Sequence, residues 1–123
     1  MSGVVAWIGV GVCGAAGAYA RHRLSLAIIA WRPTRFPLGT FAVNMSGTFA
    51  LGLLTGAQVA GEAMLVIGTG LLGAYTTFST WMVDAQRLGE DREWMRMWLY
   101  LVSSMLLGLA ATALGWVLGE ALR

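Results

Sequence analysis

Four long apolar stretches, joined by short polar connections, constrain this chain more than any other feature. A hydrocarbon core takes about 20 residues of helix to cross. The stretches at residues 3–30, 38–60, 63–83 and 94–119 each supply that length. In lipid every backbone N–H and C=O must be satisfied within the protein, which leaves only helices or closed barrels. A bundle of four spanning helices is therefore the simplest all-α solution. Of the 123 residues, 58% are hydrophobic and only 11% charged, against about 25% charged in a soluble domain. The chain is too short for two domains. Nothing basic precedes the apolar run from Gly3, so the N-terminal segment reads as a retained span, not a cleaved leader.

Composition also removes several function classes. One cysteine and one histidine rule out an internal disulfide framework and a multi-ligand Cys/His metal site. All eight cations are arginines, placed at connections, so the basic balance does not describe a nucleic-acid surface. One histidine and acids at predicted span ends assemble neither a Ser-His-Asp triad nor a pair of catalytic carboxylates. The sequence thus predicts no enzyme. Glu62, Asp84 and Glu120 all fall at or near span ends, so no carboxylate is expected inside a span. That counts against a proton-coupled carrier.

The connections are read as a first loop bracketed by Pro33 and Pro37, a very short second one at Gly61 and Glu62, and a charged third one at 84–93. Small residues recur at four-residue spacing: Gly14 with Ala18, Gly52 with Gly56, and Ala111 with Gly115 and Gly119. This is the pattern that lets membrane helices approach closely. Four short helices enclose little interior, so an oligomer is expected.

The third stretch contains Gly70-Leu71-Leu72-Gly73-Ala74-Tyr75-Thr76-Thr77-Phe78-Ser79-Thr80-Trp81. Glycine costs a helix about 1 kcal/mol against alanine, and Ser and Thr offer the backbone competing hydrogen bonds. A helix interrupted at membrane depth must have its freed carbonyls satisfied by protein, water or an ion. This segment predicts a protein that moves something small and polar.

Few other polar residues lie within the spans. Asn44, part-way into the second, serves either as a pore-lining donor or as interhelical glue. Tyr100 and Ser104 are four apart and share a face of the fourth; Ser103 and Thr112 add hydroxyls. Tyr100 also fits an interfacial aromatic belt. Arg21 and Arg23 end the first span; Arg23 reads as an interface anchor, whereas Arg21 could face a vestibule that attracts anions. Phe78 is a packing residue or presents its positive ring edge to an anion. Cys13 reads as a small packing residue.

These residues resemble the small bacterial fluoride channels of the Fluc (CrcB) family over essentially the whole chain. The motifs are Gly14-Ala15-Ala16-Gly17-Ala18-Tyr19-Ala20-Arg21, Gly39-Thr40-Phe41-Ala42-Val43-Asn44, and the run at 70–80. The resemblance implies an antiparallel, dual-topology dimer in the cell inner membrane, exporting cytoplasmic fluoride passively. It implies a structural sodium ion at the dimer centre, held by the backbone carbonyls of Gly73 and Thr76 in both subunits. It assigns Asn44, Phe78, Tyr100 and Ser104 to the fluoride pathway, with Thr77, Ser79 and Arg21 beside them. The implied partners are fluoride, membrane lipid and a second copy of the chain.

Two features depart from the family pattern. Where a second phenylalanine is usual, three residues after Phe78, this chain has Trp81. An indole still offers a positive edge, and it adds an N–H donor. Second, Arg21, Arg23, Arg32, Arg35, Arg87, Arg92 and Arg96 fall on the side of the first and third connections, and only Arg123 on the other. The positive-inside rule then places both termini outside. A preferred orientation follows, and with it the option of pairing with an oppositely oriented paralogue. The alternative reading, a four-span dual-topology drug exporter, would need an acidic residue in the first span, and there is none. A haem-holding membrane anchor would need embedded histidine ligands, and His22 stands alone at a span end.

Overall fold

The computed structural model describes residues 3–123 and is helical along almost all of them. In chain order the elements are α1 (Gly3–Trp31), α2 (Leu38–Gly56), α3 (Gly61–Ala63), a π-helical segment π1 (Met64–Leu72), α4 (Gly73–Tyr75), α5 (Ser79–Glu90) and α6 (Trp94–Leu122). Four helical stretches are long and apolar enough to cross a membrane: Gly3–Trp31, Leu38–Gly56, Gly61–Glu90 and Trp94–Leu122. Leu24, Leu106, Leu109, Trp98 and many other large apolar side chains lie on the surface, while Val43 and Tyr100 are the largest that are fully buried. Such a surface suits acyl chains, not water.

The helix ends follow local chemistry. Pro33 lacks an N–H and disfavours helical backbone at the residue before it, and α1 stops at Trp31 with Arg32 N–H still reaching Ile28 O at 2.9 Å. Pro37 caps α2, its carbonyl accepting from Phe41 N–H at 3.0 Å. The other two connections share one device. After α2, Gln58 takes φ 60°, its N–H bonds Thr55 O, and Val59 N–H bonds Leu54 O. After α5, Arg92 takes φ 57°, its N–H bonds Gly89 O, and Glu93 N–H bonds Leu88 O. Both are Schellman closures with a side chain where glycine is usual.

Two expected connections therefore move. The second runs over 57–60, and Gly61 and Glu62 open the next helix. The third shrinks to 91–93, because 84–90 continue α5. That helix is amphipathic: Ala85, Leu88 and Gly89 are buried, while Gln86, Arg87 and Glu90 face outward. Its charges mark a solvated helix face, not a loop.

Glycines set the packing. A Cβ at Gly52 would stand 2.2 Å from Thr112 O, one at Gly56 2.0 Å from Trp116 O, one at Gly115 2.2 Å from Phe49 O and one at Gly119 2.2 Å from Leu53 O. The residue numbers advance together, so α2 and α6 run parallel, backbone against backbone. Close approach of this kind gains dispersion and Cα–H···O contacts in place of a hydrophobic driving force. The same holds between α1 and the third segment, where a Cβ at Gly17 would be 2.2 Å from Leu71 O and one at Gly70 3.0 Å from Val10 Cα. The first and third connections meet through Glu93, which binds Arg35 Nη1 at 2.5 Å and Arg96 Nη1 at 3.0 Å.

Candidate functional site

Helical winding stops at Tyr75 and resumes at Ser79. Thr76 is extended, with φ −80° and ψ 156°. The reason lies in side chains that capture backbone groups. Thr77 N–H donates to Asn44 Oδ1 at 2.9 Å, and Asn44 Nδ2 donates to Thr77 O at 2.9 Å. Thr80 N–H donates to Thr77 Oγ1 at 3.2 Å. In a continuous helix the N–H groups of Thr77 and Thr80 would go to the carbonyls of Gly73 and Thr76. Both donors are diverted to side chains, so these two carbonyls lose their helical partners. Gly47 lets α2 lie against the interruption, since a Cβ there would stand 2.3 Å from Thr76 Cγ2.

A cavity of about 360 Å³ opens beside this point, lined in part by Asn44, Gly73, Thr76, Thr77, Phe78, Trp81 and Ser104. No ionised side chain among the described residues borders it. On the other side of Thr77 lies a smaller polar cavity of about 190 Å³, lined by Arg21, His22, Ser25, Thr40, Val43, Thr77 and Thr80. Thr77, only 8% exposed, is the wall common to both. A third hollow, toward the first and third connections, shares His22, Ser25, Thr40 and Thr80 with the smaller one and adds Asp84, Arg87 and Glu93. Polar groups thus run from the arginine-rich end of the molecule to the helix interruption.

Most of the residues singled out in the sequence converge here. Asn44, Thr77, Phe78, Trp81 and Ser104 surround the larger cavity together with Gly73 and Thr76, and Arg21 reaches the smaller one. Phe78 is 71% exposed on the single chain, its ring 5.5 Å from that of Trp81. Tyr100 is fully buried and lines neither cavity; its ring packs edge-on against Phe36 at 5.3 Å and lies 6.4 Å from Trp81. It is therefore not a member of an interfacial belt. Ser79 opens α5 on the surface and borders none of the three hollows.

Asp84, expected at or near a span end, lies within α5, half-buried, where it accepts from Thr40 Oγ1 at 2.8 Å beside Tyr100. Thr40 itself is 6% exposed. A carboxylate is tolerated there because the buried hydroxyl is its donor and the vestibule wets its other side. Thr40, Thr80 and Ser25 also escaped the sequence reading. The signal available was spacing: Asp84 follows Trp81 by three and Thr80 by four, on one helix face.

Three buried side-chain polar atoms make no hydrogen bond of good geometry among the described residues: Trp81 Nε1, Tyr100 Oη and Ser104 Oγ, the Tyr100 hydroxyl lying beside Thr40 and Asp84. Each such group carries a desolvation penalty of about 1–3 kcal/mol, and they gather where α5 meets α6. The described residues hold no group of three or more His, Cys, Asp or Glu that could bind a metal.

Comparison with known proteins gives a consistent answer. Residues 8–116 match the family model described as CrcB-like protein, Camphor Resistance (CrcB). Among curated relatives, the fluoride-specific ion channel FluC 2 of Mycobacterium bovis is 44% identical over 115 residues, covering 93% of this chain and 91% of the relative. The fluoride-specific ion channel FluC 1 of Symbiobacterium thermophilum is 45% identical over 128 aligned residues, covering 94% and 98%. The fluoride-specific ion channel FluC 2 of Haloarcula marismortui is 44% identical over 107 residues, with 87% of each chain covered. With four helices long and apolar enough to cross a membrane and a match over nearly its full length, the chain belongs to the CrcB-like family.

Proposed function

We propose that the protein is a fluoride-selective channel that lets cytoplasmic fluoride leave passively across the cell inner membrane. The observation that carries this is the set of neutral donors at the interruption in a relative of fluoride-specific channels. Fluoride is small and strongly hydrated, so shedding water must be offset by close donors. Arg21 draws the anion into the polar vestibule. The ion passes Thr77 and Asn44, then the ring edges of Phe78 and Trp81, and reaches the Ser104 side of the larger cavity, with Tyr100 buried behind Trp81 and Ser79 at the surface. Larger chloride fits such a track poorly. A negative-inside potential supplies about 2.3 kcal/mol per charge per 100 mV for outward anion movement.

The working unit is an antiparallel dimer. Supporting this are the exposed Phe78 ring, which a single chain leaves on its surface, and the shallow interior of one copy. A structural sodium ion at the dimer centre would be held by the carbonyls of Gly73 and Thr76, the two oxygens whose helical donors are diverted. As a hard cation it takes oxygen ligands, and it would pin the two interruptions together. The homodimer is the first choice. The arginine imbalance keeps an oppositely oriented paralogue as the other partner.

The test is ion efflux from liposomes carrying purified protein. Fluoride release without chloride release supports the assignment. Release of both at similar rates, or of neither, refutes it.

A further inference from the structure

The two polar hollows on the vestibule side of Thr77 meet at a neck, because His22, Ser25, Thr40 and Thr80 line both. Packing fixes this neck. A Cβ at Gly39 would stand 2.5 Å from Ser25 Oγ, so α1 and α2 close against each other there, and His22 lies one turn before Ser25. Two of the three neck hydroxyls are already engaged. Thr40 Oγ1 donates to Asp84 Oδ2 at 2.8 Å, and Thr80 Oγ1 accepts from Thr77 Oγ1 at 3.2 Å. Among the described residues, His22 is the one titratable side chain of the neck, and it is exposed, so water can protonate it.

The charges around it decide what that proton does. Arg21 faces the neck from the inner hollow. From the outer hollow it is faced by Arg35, by Asp84 and Arg87 of α5, and by Asp91 and Glu93. Glu93 is bound by Arg35 and Arg96, which leaves Asp84 and Asp91 against Arg87, an acidic excess of one charge. An entering anion must pass that excess before it reaches Arg21. A neutral imidazole does nothing to offset it. An imidazolium adds one positive charge at the neck and turns both ring nitrogens into donors.

We propose that His22 sets the rate of anion entry according to pH: its protonated ring cancels the carboxylate excess of the outer hollow and draws the anion through the neck toward Arg21. The inference rests on the fluoride-channel reading. Histidine is the side chain that ordinarily gains its charge as pH falls from about 8 to about 5, so acid raises conduction. The proton is bound and not carried. The current therefore changes with pH while the reversal potential stays where the fluoride gradient puts it.

The test is fluoride current in planar bilayers, with pH equal on both sides, for wild type, His22→Gln and His22→Arg. Neutral HF crosses lipid but carries no current, so the current reports the channel. At low fluoride, the wild-type current should rise about threefold between about pH 8 and pH 5.5, the change expected from one unit charge acting through a hydrated hollow. His22→Gln should stay at the wild-type alkaline level throughout, and His22→Arg at the acid level. At high salt the wild-type rise should shrink, because screening weakens a charge that acts from the vestibule. A wild-type current that is flat with pH would overturn the proposal. So would a full rise in His22→Gln, which would assign the titration to a carboxylate of the outer hollow. Wild-type protein that passes no fluoride current at any pH would instead refute the channel reading itself.

Discussion

Replacing Asn44 by alanine removes both hydrogen bonds that hold Thr77 out of the helix. Each contributes about 0.5–1.5 kcal/mol net, and each leaves behind a buried backbone group that costs about 1–3 kcal/mol if nothing replaces the partner. Thr77 is 8% exposed, so water does little to relieve them. The backbone can recover part of the loss by returning Thr77 N–H to Gly73 O, but that rewinds the interruption. The net expectation is a destabilisation of about 2–4 kcal/mol, or a fall in melting temperature of roughly 10 °C for a chain of this size. Unfolding in detergent followed by tryptophan fluorescence measures it. Thr48→Ala is the control: it lines the same cavity, and its hydroxyl only bonds back to Met45 O. It should shift the melt by no more than about 2 °C. Fluoride flux should fall with Asn44→Ala and fall further with Asn44→Asp, which keeps the acceptor for Thr77 N–H but puts negative charge on the anion's route. If Asn44→Ala melts with the Thr48→Ala control and conducts normally, Asn44 neither pins the interruption nor serves the ion.

Phe78→Ile should cut fluoride flux by at least about tenfold with little change in stability, because the ring is 71% exposed and packs mainly on Trp81; an unchanged rate would make Phe78 a surface packing residue. Tyr100→Phe removes a buried hydroxyl that makes no hydrogen bond of good geometry, so melting temperature should hold or rise; a drop in stability would mean that the hydroxyl donates to Asp84 or Thr40 beside it. Gly115→Ala drives a methyl to 2.2 Å from Phe49 O and should cost about 1–3 kcal/mol, whereas Gly11→Ala, with nothing within 4 Å, should melt as wild type. A tag on the C-terminus labelled from each side in turn should react mainly from outside if the arginine imbalance sets orientation; equal labelling would remove the case for a paralogous partner.

The span count and the first connection were legible because hydropathy and two prolines carry that information directly. The turns at 57–60 and 91–93 were not, since Gln58 and Arg92 adopt the left-handed conformation without the glycine that usually announces it. Charged residues at 84–90 looked like a loop by composition, yet their spacing keeps Ala85 and Leu88 on one buried face. The π-helical winding of Met64–Leu72 changes the hydrogen-bond register and not the hydropathy, so it leaves no mark in the sequence. At the site, the residue types that offer neutral donors were visible, but pairings were not. Asn44 with Thr77, and Thr40 with Asp84, join residues 33 and 44 positions apart. Only the packing of α2 against the third segment brings them together.

The reversal potential in planar bilayers tests the central claim most directly. With chloride equal on both sides and a tenfold fluoride gradient, a passive fluoride-selective channel should reverse at about 59 mV, the one-electron-equivalent value for a tenfold ratio, and should not move when a pH gradient is added. A reversal near zero would show that fluoride is not the selected ion, and a potential that follows the pH gradient would show a proton-coupled carrier.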